Sequence, residues 1–452
     1  MSWLNDIVDE IEKRHKDGEI IVSSGVSPSG TYHLGTLREV LTAEAISREL
    51  GLRGRNSKHI HVVDDLDVFR KVPVGLPAEY EKYLGMPLCD IKAPDGSNKS
   101  YADYYLADLL GAARGLRLEM EIMRAHQKYR EGFFVGAIEQ ALKNIDKIRK
   151  ILEGVSGHQL GEEWSPIQIV EEGYLKNRKF ISLDEAQKEI TYEDKDGKKQ
   201  TISYKDGQVK LNWRIDWPAR WSLLGVNVEP FGRDHATKGG SYDTGVEIVG
   251  EVYGVQAPLP VPYNFINRTG DTKKMSKSKG DTVTAADLLK VLPPEIVWYF
   301  ILRYSPAKLL FFDQGPTLMK LFDDFAELSA KQDKNQEDKK LLELCNYGVE
   351  DRTVSRVPFS HLVASYQAAL RDPAKTLEVM KRTEHAKTVE EDEEVIKREL
   401  KYIHNWLDNW APDDIKFDIL PSLSGAKELT GSERKFLQAL ATKIKTAPKD
   451  AD

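Results

Sequence analysis

The feature that most constrains the fold of this chain is a change of pattern near its start. A short apolar run, Glu19 to Ser23 (EIIVS), enters Ser24–Thr36 (SGVSPSGTYHLGT), and that turn enters LREVLTAEAISREL. The apolar run predicts a strand. The Gly and Pro cluster predicts a tight turn. Leu37, Val40 and Leu41 then recur at i, i+3 and i+4, which predicts a helix. RNSKHIHVVDD follows as a second strand ending in acids. Strands alternating with helices imply a parallel sheet. A Gly-rich turn from a strand into a helix N-terminus leaves backbone N–H groups able to meet an anion. In open parallel sheets this is also where ligands bind. The turn has neither the dinucleotide G-x-G-x-x-G spacing nor the P-loop spacing, so on its own it reads equally as a plain strand–helix turn or as a ligand site.

Further along, residues 101–152 carry helical periodicity. In 181–213 the runs KEITY, TISY and VKLNW are separated by Asp196-Gly197 and Asp206-Gly207. Asp-Gly between strand-like runs is a hairpin signal, so a small antiparallel meander is expected there. From Trp213 the chain is rich in aromatic and charged residues, WRIDWPARWSLLGVNVEPFGRDHATKGGSYDTG. From about Pro294 it reads as helical, with a polar stretch at 329–340 as a plausible linker. In VEEDEEVIKREL, Glu393 with Lys397 and Glu394 with Arg398 are spaced i, i+4, as on a solvated helix face. Trp406 and Trp410, also at i, i+4, read more as core than as base-stacking platforms.

Composition excludes several classes. No stretch is apolar enough to span a membrane and the N-terminus lacks a signal-peptide pattern. Two cysteines, Cys89 and Cys345, in 452 residues suggest neither a disulfide framework nor a cysteine zinc site and fit a reducing compartment. A net charge of −7 argues against a uniformly basic coat for nucleic acid, though not against local basic surfaces. The expectation is a cytoplasmic monomer with no membrane association.

A second motif, Lys273 to Gly280 (KKMSKSKG), alternates lysines with small residues. Several ammonium groups on such a loop can reach a polyphosphate. Alone it would read as a solvated basic loop. Together, in this order and at this separation, HLGT and KMSKS resemble the paired signatures of the class I aminoacyl-tRNA synthetases, and FGRDH (Phe231 to His235) is similar to that family's Gly-x-Asp segment. SGVSPSGTYHLGT, HVVDDLDVFRKVP, LNWRIDWPARW and GRDHATKGGSYDTG resemble, more narrowly, the class I lysyl-tRNA synthetases. The resemblance is strong over roughly residues 20–310 and weaker beyond.

The resemblance implies an α/β fold: a Rossmann-type parallel-sheet catalytic domain, an inserted helical and small antiparallel segment, and a C-terminal all-helical domain. The expected segments are 1–100 and 213–293 for the two catalytic halves, 101–212 for the insertion on the acceptor-stem side, 294–330 for a helical stem-contact region and 331–452 for an anticodon-binding-like domain. It implies a lysine–tRNA ligase using ATP, Mg²⁺, L-lysine and tRNA(Lys). His33, Lys274 and Lys277 would be catalytic. His33, Gly35, Thr36, Gly232, Asp234, Lys274, Ser276 and Lys277 would hold ATP. Thr36 stands where the general pattern has a second histidine, and it cannot carry that charge.

A lysine pocket needs aromatic walls and a carboxylate for the ammonium. Acids are available at Asp64, Asp65, Asp67, Asp216 and Asp243. The resemblance implies Gly25 and Ser27 for the lysine site, with Trp213, His235 and Tyr263 as its walls; Asp65 is taken from the available acids, and Trp217 and Trp221 are read as core. Residues 153–212 contain no cysteine, so no structural zinc is expected. Two alternatives stay open. One is a synthetase for another amino acid such as glutamate, with Arg214, Arg220 or Arg233 facing the side chain. The other is a non-catalytic tRNA-binding paralogue.

Overall fold

The computed structural model describes residues 2–157, 159–161, 163–268, 284–419 and 429–446. The chain forms two compact units. The first comprises residues 1–289, 298–312 and 339–347, and the second 290–297, 313–338 and 348–452.

The first unit opens with helix α1 (Ser2–Arg14), which buries Leu4, Val8 and Ile11. Strand β1 (Ile20–Val26) follows, then helix α2 (Leu34–Leu52) and strand β2 (Ser57–Val63). The expected strand–turn–helix–strand unit is therefore present. Its helix differs from the expectation of one apolar face, because nearly every residue of α2 is buried. Most of its buried polar side chains find partners, as burial requires. Glu44 pairs with His59 Nδ1 at 2.8 Å and accepts from Arg48 Nε at 3.1 Å and from the Glu119 N–H at 3.0 Å. Burial raises the Glu44 pKa, but His59 and Arg48 outweigh it and hold the carboxylate below its usual range. Ser24 Oγ lies 2.8 Å from both His59 Nε2 and His61 Nδ1, tying β1 into the same network.

Helix α3 (Tyr101–Gly115) begins at a capping box formed by Ser100 and Asp103. The stretch RLEMEIM, read as the end of one long helix, behaves differently. The helix stops at Gly115, Arg117 takes a left-handed φ of 57°, and β3 (Glu121–Arg124) becomes an edge strand of the main sheet. Short helices α4 (Ala125–Arg130), α5 (Val135–Lys143) and α6 (Ile145–Ser156) follow.

The antiparallel region is larger than the sequence suggested. Strands β4 (Ile167–Glu171) and β5 (Tyr174–Asn177) precede β6 (Lys179–Asp184), β7 (Glu189–Glu193), β8 (Lys199–Ser203) and β9 (Val209–Leu211). They form two three-stranded sheets, in the orders β5-β4-β9 and β6-β7-β8. Asp196-Gly197 does turn the β7–β8 hairpin, with Gly197 at a φ of 75°. Asp206-Gly207 does not close a hairpin, because β9 pairs with β4 instead of β8.

Helix α7 (Trp213–Leu224), strand β10 (Val226–Gly232), helix α8 (Ser241–Glu251) and strand β11 (Leu259–Tyr263) complete the central sheet. All five of its strands run parallel, in the order β11-β10-β1-β2-β3. Strand β12 (Ile266–Arg268) pairs in parallel with β13 (Leu310–Phe312) beside it.

The second unit is helical among its described residues, with helices that include Pro316–Ala330, Phe359–Ala368, Pro373–Met380 and Glu393–Asn409. Phe322 stacks on Phe359 at 4.1 Å, and Trp406 meets Phe359 at 5.7 Å. Trp406 is fully buried and its indole N–H donates to the Gln314 carbonyl at 2.7 Å, so it is core. Glu393 pairs with Lys397 at 3.0 Å on the exposed face. Arg398 instead donates to the Arg352 carbonyl at 2.8 Å.

Candidate active site

The central sheet has its topological switch between β1 and β10. The two pair at Ile21↔Val226 and Val22↔Val228. Beyond that β1 stays with β2 as far as Val26↔Val63, and β10 stays with β11 as far as Gly232↔Tyr263. The divergence opens a crevice at the carboxyl ends of the strands, the place where doubly wound sheets take ligands.

A cavity of about 340 Å³ lies in this crevice. Gly25 and Ser27 line it from β1 and its turn, and Trp213, Trp217 and Trp221 from α7. Glu229 and His235 line it from β10 and the turn after it, and Asp64, Asp67 and Arg220 also face it. Trp213 stacks on Trp217 at 5.2 Å and 12°, and His235 stands 5.8 and 5.6 Å from those two rings. Of the candidate lysine residues, the structure therefore gathers Gly25, Ser27, Trp213 and His235. Trp217 and Trp221 are buried, as core residues are, and also form the pocket wall.

The pocket's charges sort into used and unused. Arg220 meets Asp64 at 3.0 Å and also pairs with Asp216. Burial works to lower its pKa, but Asp216 and Asp64 outweigh it and hold the guanidinium charged. Burial likewise works to raise Asp64, and Arg220 and Lys210 outweigh it, so this acid stays ionised and neutralised. Glu229 and Asp67 differ. Glu229 accepts from the indole N–H of Trp217 at 3.1 Å and from that of Trp221, yet burial raises its pKa in spite of those bonds. Asp67 accepts from Ser27 Oγ at 2.9 Å and from exposed Arg70 at 2.7 Å. Burial, then the charge of Asp64, pushes Asp67 up. Glu229, held by two uncharged indole donors, suits a cation, while Asp67 already pairs with exposed Arg70.

Asp65 is not part of this pocket. It is fully buried, pairs with Arg124, accepts the His126 N–H at 2.8 Å and meets His126 Nδ1 at 2.7 Å. Its capacity is spent joining β2 to β3 and α4. Tyr263 does not line the cavity either, and its hydroxyl donates to Glu39 Oε2 at 2.7 Å. Asp243 accepts the Gly239 N–H at 2.8 Å, away from the pocket. Glu229 was invisible to sequence reasoning, because an acid in a strand (VNVEPFG) looks like a solvent-facing residue. The available signal was the pair of tryptophans at i, i+4 just upstream, whose indole N–H groups need a buried acceptor.

The nucleotide side is built by the start of α2. His33 caps it, and its Nδ1 accepts the Gly35 N–H at 3.0 Å. An accepting Nδ1 carries no proton, so the neutral ring holds its proton on Nε2. Gly35 is required by close approach, since a Cβ there would stand 2.8 Å from the His33 ring. Thr36 is buried and donates its N–H to the His33 carbonyl at 2.8 Å. Gly232 ends β10, and a Cβ there would meet Asp234 Oδ1 at 2.5 Å. Lys274, Ser276 and Lys277 lie outside the described residues. Beyond them, Thr284 bridges to His33, and the Ala285 N–H donates to the Tyr32 carbonyl at 2.9 Å. The segment that follows the KMSKS motif is thus joined to the HLGT motif. A second cavity, about 930 Å³, extends toward the insertion and shares Trp213 and Arg70 with the first. Among the described residues no three His, Cys, Asp or Glu side chains are gathered to hold a metal ion, and no helix is long and apolar enough to cross a membrane.

A doubly wound sheet with a histidine-capped helix and an acidic, aromatic pocket at its switch point is the frame of a class I synthetase. Residues 1–350 match the family described as tRNA synthetases class I (K), and the chain belongs to that family. It is 38% identical over 449 residues to the lysine–tRNA ligase of Archaeoglobus fulgidus, covering 99% of this chain and 87% of that one. It is 36% identical over 455 residues to lysine–tRNA ligase 1 of Methanosarcina acetivorans, covering 99% and 84%. With the lysine–tRNA ligase of Pyrococcus furiosus it shares 34% over 453 residues, covering 97% and 86%.

Proposed function

We propose that this protein is a lysine–tRNA ligase. It joins L-lysine to ATP as lysyl-adenylate, releasing pyrophosphate, and then passes the lysyl group to the 3′ end of tRNA(Lys). The observation that carries the choice of amino acid is the pocket's charge. Of the two arginines that line it, Arg220 is neutralised by Asp64 and Asp216 and exposed Arg70 pairs with Asp67, while burial raises the pKa of Glu229 and of Asp67. An ammonium on an aliphatic stem between indole faces would complete those two acids. A glutamate side chain would bring a third carboxylate to them. Arg214, one of the alternatives for glutamate, lines the second cavity instead, and Arg233 is exposed.

The chemistry needs no protein nucleophile. The lysine carboxylate oxygen attacks the α-phosphorus, and the bond to the pyrophosphate oxygen breaks. The 3′-terminal ribose hydroxyl then attacks the acyl carbon, and AMP leaves. The protein's work is alignment and stabilisation of charge on the phosphates. In this reading Gly25, Ser27, Trp213, His235, Glu229 and Asp67 hold lysine. His33, through its Nε2 proton, and the first turn of α2 at Gly35 and Thr36 face ATP. Gly232 and Asp234 take the ribose, and Lys274, Ser276 and Lys277 take the phosphates from the other side. Mg²⁺ comes with the nucleotide's phosphates. The second cavity, lined by Trp164, Arg178, Lys195 and Arg214, receives the tRNA 3′ end. The protein works as a cytoplasmic monomer.

The test is pyrophosphate exchange into ATP with tRNA present and each amino acid supplied in turn. Exchange with lysine alone supports the reading. Exchange driven by glutamate instead, or by none, removes it.

A further inference from the structure

Arg70, on the loop that follows β2, stands where three cavities meet. It lines the pocket at the switch point together with Asp67 and Trp213, and the larger cavity toward the insertion together with Trp213 and Arg214. It also lines a third cavity, of about 580 Å³, between the turn after β1 and residues 67–73. Among the described residues no other lines all three. Its side chain is 66% exposed and pairs with Asp67 Oδ1 at 2.7 Å. Asp67 is fixed independently, since it accepts the Val68 N–H at 2.9 Å and Ser27 Oγ at 2.9 Å. The acid is therefore anchored, whereas the guanidinium stands largely in solvent, where an ion pair holds weakly.

Burial, then the charge of Asp64, pushes the Asp67 pKa up. While ionised, Asp67 needs a cation beside it, but that cation need not be Arg70. An ammonium entering the pocket supplies one, and the guanidinium can then swing into the larger cavity without leaving Asp67 uncompensated. The other basic groups of that cavity are more firmly engaged. Arg178 holds Glu171 through two hydrogen bonds, at 2.9 and 2.6 Å, and Lys179 meets Glu193 at 3.6 Å. Arg214 donates to Thr244 Oγ1 at 3.3 Å. Arg70 is thus the cation that can be freed at the end of the cavity nearest the pocket. Its planar fork matches the oxygens of a phosphate.

We propose that Arg70 contacts the RNA in the transfer step: it leaves Asp67 when the substrate ammonium arrives and takes the phosphate that links the last two nucleotides of the tRNA 3′ end. The inference rests on the reading of the first pocket as the lysine site and of the larger cavity as the 3′-end site. It deepens that reading by giving the RNA a named contact, one that becomes available only when the amino-acid pocket is filled.

The experiment compares the wild-type full chain with Arg70→Ala and Arg70→Lys. Each is given tRNA(Lys) transcript, or the same transcript with a neutral methylphosphonate at its last internucleotide linkage. Pyrophosphate exchange at saturating tRNA gives the lysine KM, and single-turnover transfer from enzyme-bound lysyl-adenylate gives the second step. Arg70→Ala should slow transfer about tenfold or more. Its lysine KM should equal or fall below the wild-type value, because the competitor for Asp67 is gone. Arg70→Lys keeps the charge without the fork, and its transfer rate should fall between. The methylphosphonate should slow wild-type transfer by a factor similar to that of Arg70→Ala. In Arg70→Ala it should cost no more than about twofold, since the contact is already lost. Transfer by Arg70→Ala within about twofold of wild type overturns the proposal. So does a methylphosphonate penalty as large in Arg70→Ala as in wild type, or a lysine KM that rises in Arg70→Ala. Wild type alone separates the two claims. If it transfers a different amino acid, the lysine reading fails and the same cycle is read on that amino acid. If it transfers none, the proposed function fails and this inference with it.

Discussion

Replacing Glu229 by glutamine separates what holds the pocket together from what makes it selective. Both indole N–H groups, from Trp217 and Trp221, converge on one oxygen of Glu229, and Ser23 Oγ approaches the other at 3.4 Å. A glutamine can place its carbonyl oxygen under the indoles and its NH₂ toward the Ser23 oxygen. The hydrogen bonds persist and the charge is lost. An ammonium about 4 Å from a carboxylate gains about 4 kcal/mol at an effective dielectric near 20. Asp67 remains, and part of the gain is offset by desolvation of both ions, leaving about 2–3 kcal/mol, or roughly 30- to 150-fold in kcat/KM for lysine. Stability should move the other way. Burial already raises the Glu229 pKa, so the folded state holds its proton more tightly than the unfolded state does. That carboxylate therefore costs stability as pH rises above its unfolded value. A neutral amide removes the cost. Glu229→Gln should unfold at the same temperature as wild type at pH 8, or higher, while its lysine-dependent exchange falls. Exchange within threefold of wild type, or a parallel drop in both stability and exchange, would refute the reasoning.

Three further outcomes follow from the same account. Lys277→Ala should slow exchange by about 10²–10³-fold, the usual cost of one donor to transition-state charge, with lysine binding by calorimetry unchanged. In the second unit, burial, and after it the charges of Glu295 and Asp392, push Glu399 up to about 8 in spite of its hydrogen bonds with Ser355. The folded state then holds a proton that the unfolded state has released, so this unit loses up to about 5 kcal/mol as pH rises from the unfolded value toward 8. Thermal unfolding should show the midpoint falling over that window, and Glu399→Gln should flatten it. Metal analysis of the purified protein should find no stoichiometric zinc, since residues 153–212 contain no cysteine.

How much of this could be read in advance depends on how local each cause is. The β1–turn–α2 unit was legible because a strand, a Gly-rich turn and a helix each have a short-range pattern. The cap was not legible in the sequence, where His33 reads only as a nucleotide contact and histidine is not among the usual N-cap residues. Trp217 and Trp221 were legible as core, but their second role depends on Glu229 across the fold, and no local pattern marks a strand acid as buried. Asp65 was chosen from three acids after β2. Only the tertiary placement of Arg124 and His126 decides that it faces away from the pocket while Asp67 faces in. Arg38, Glu39 and Glu44 look like the polar face of an amphipathic helix. Arg38 and Glu39 are buried against residues 263–265 and 305–308, far away in the chain, and Glu44 against β2 and the backbone at residue 119. Likewise β4 and β5 escaped notice because a strand of four or five residues carries too little periodicity to stand out.

The central claim is that the switch-point pocket selects an ammonium side chain for attachment to tRNA. It is tested most directly by incubating the purified protein with ATP, Mg²⁺ and tRNA(Lys) transcript. Radiolabelled lysine or glutamate is added in parallel, and acid-precipitable label is counted. The account predicts ATP-dependent attachment of lysine and none of glutamate. Attachment of glutamate, or the absence of any attached lysine, would contradict it.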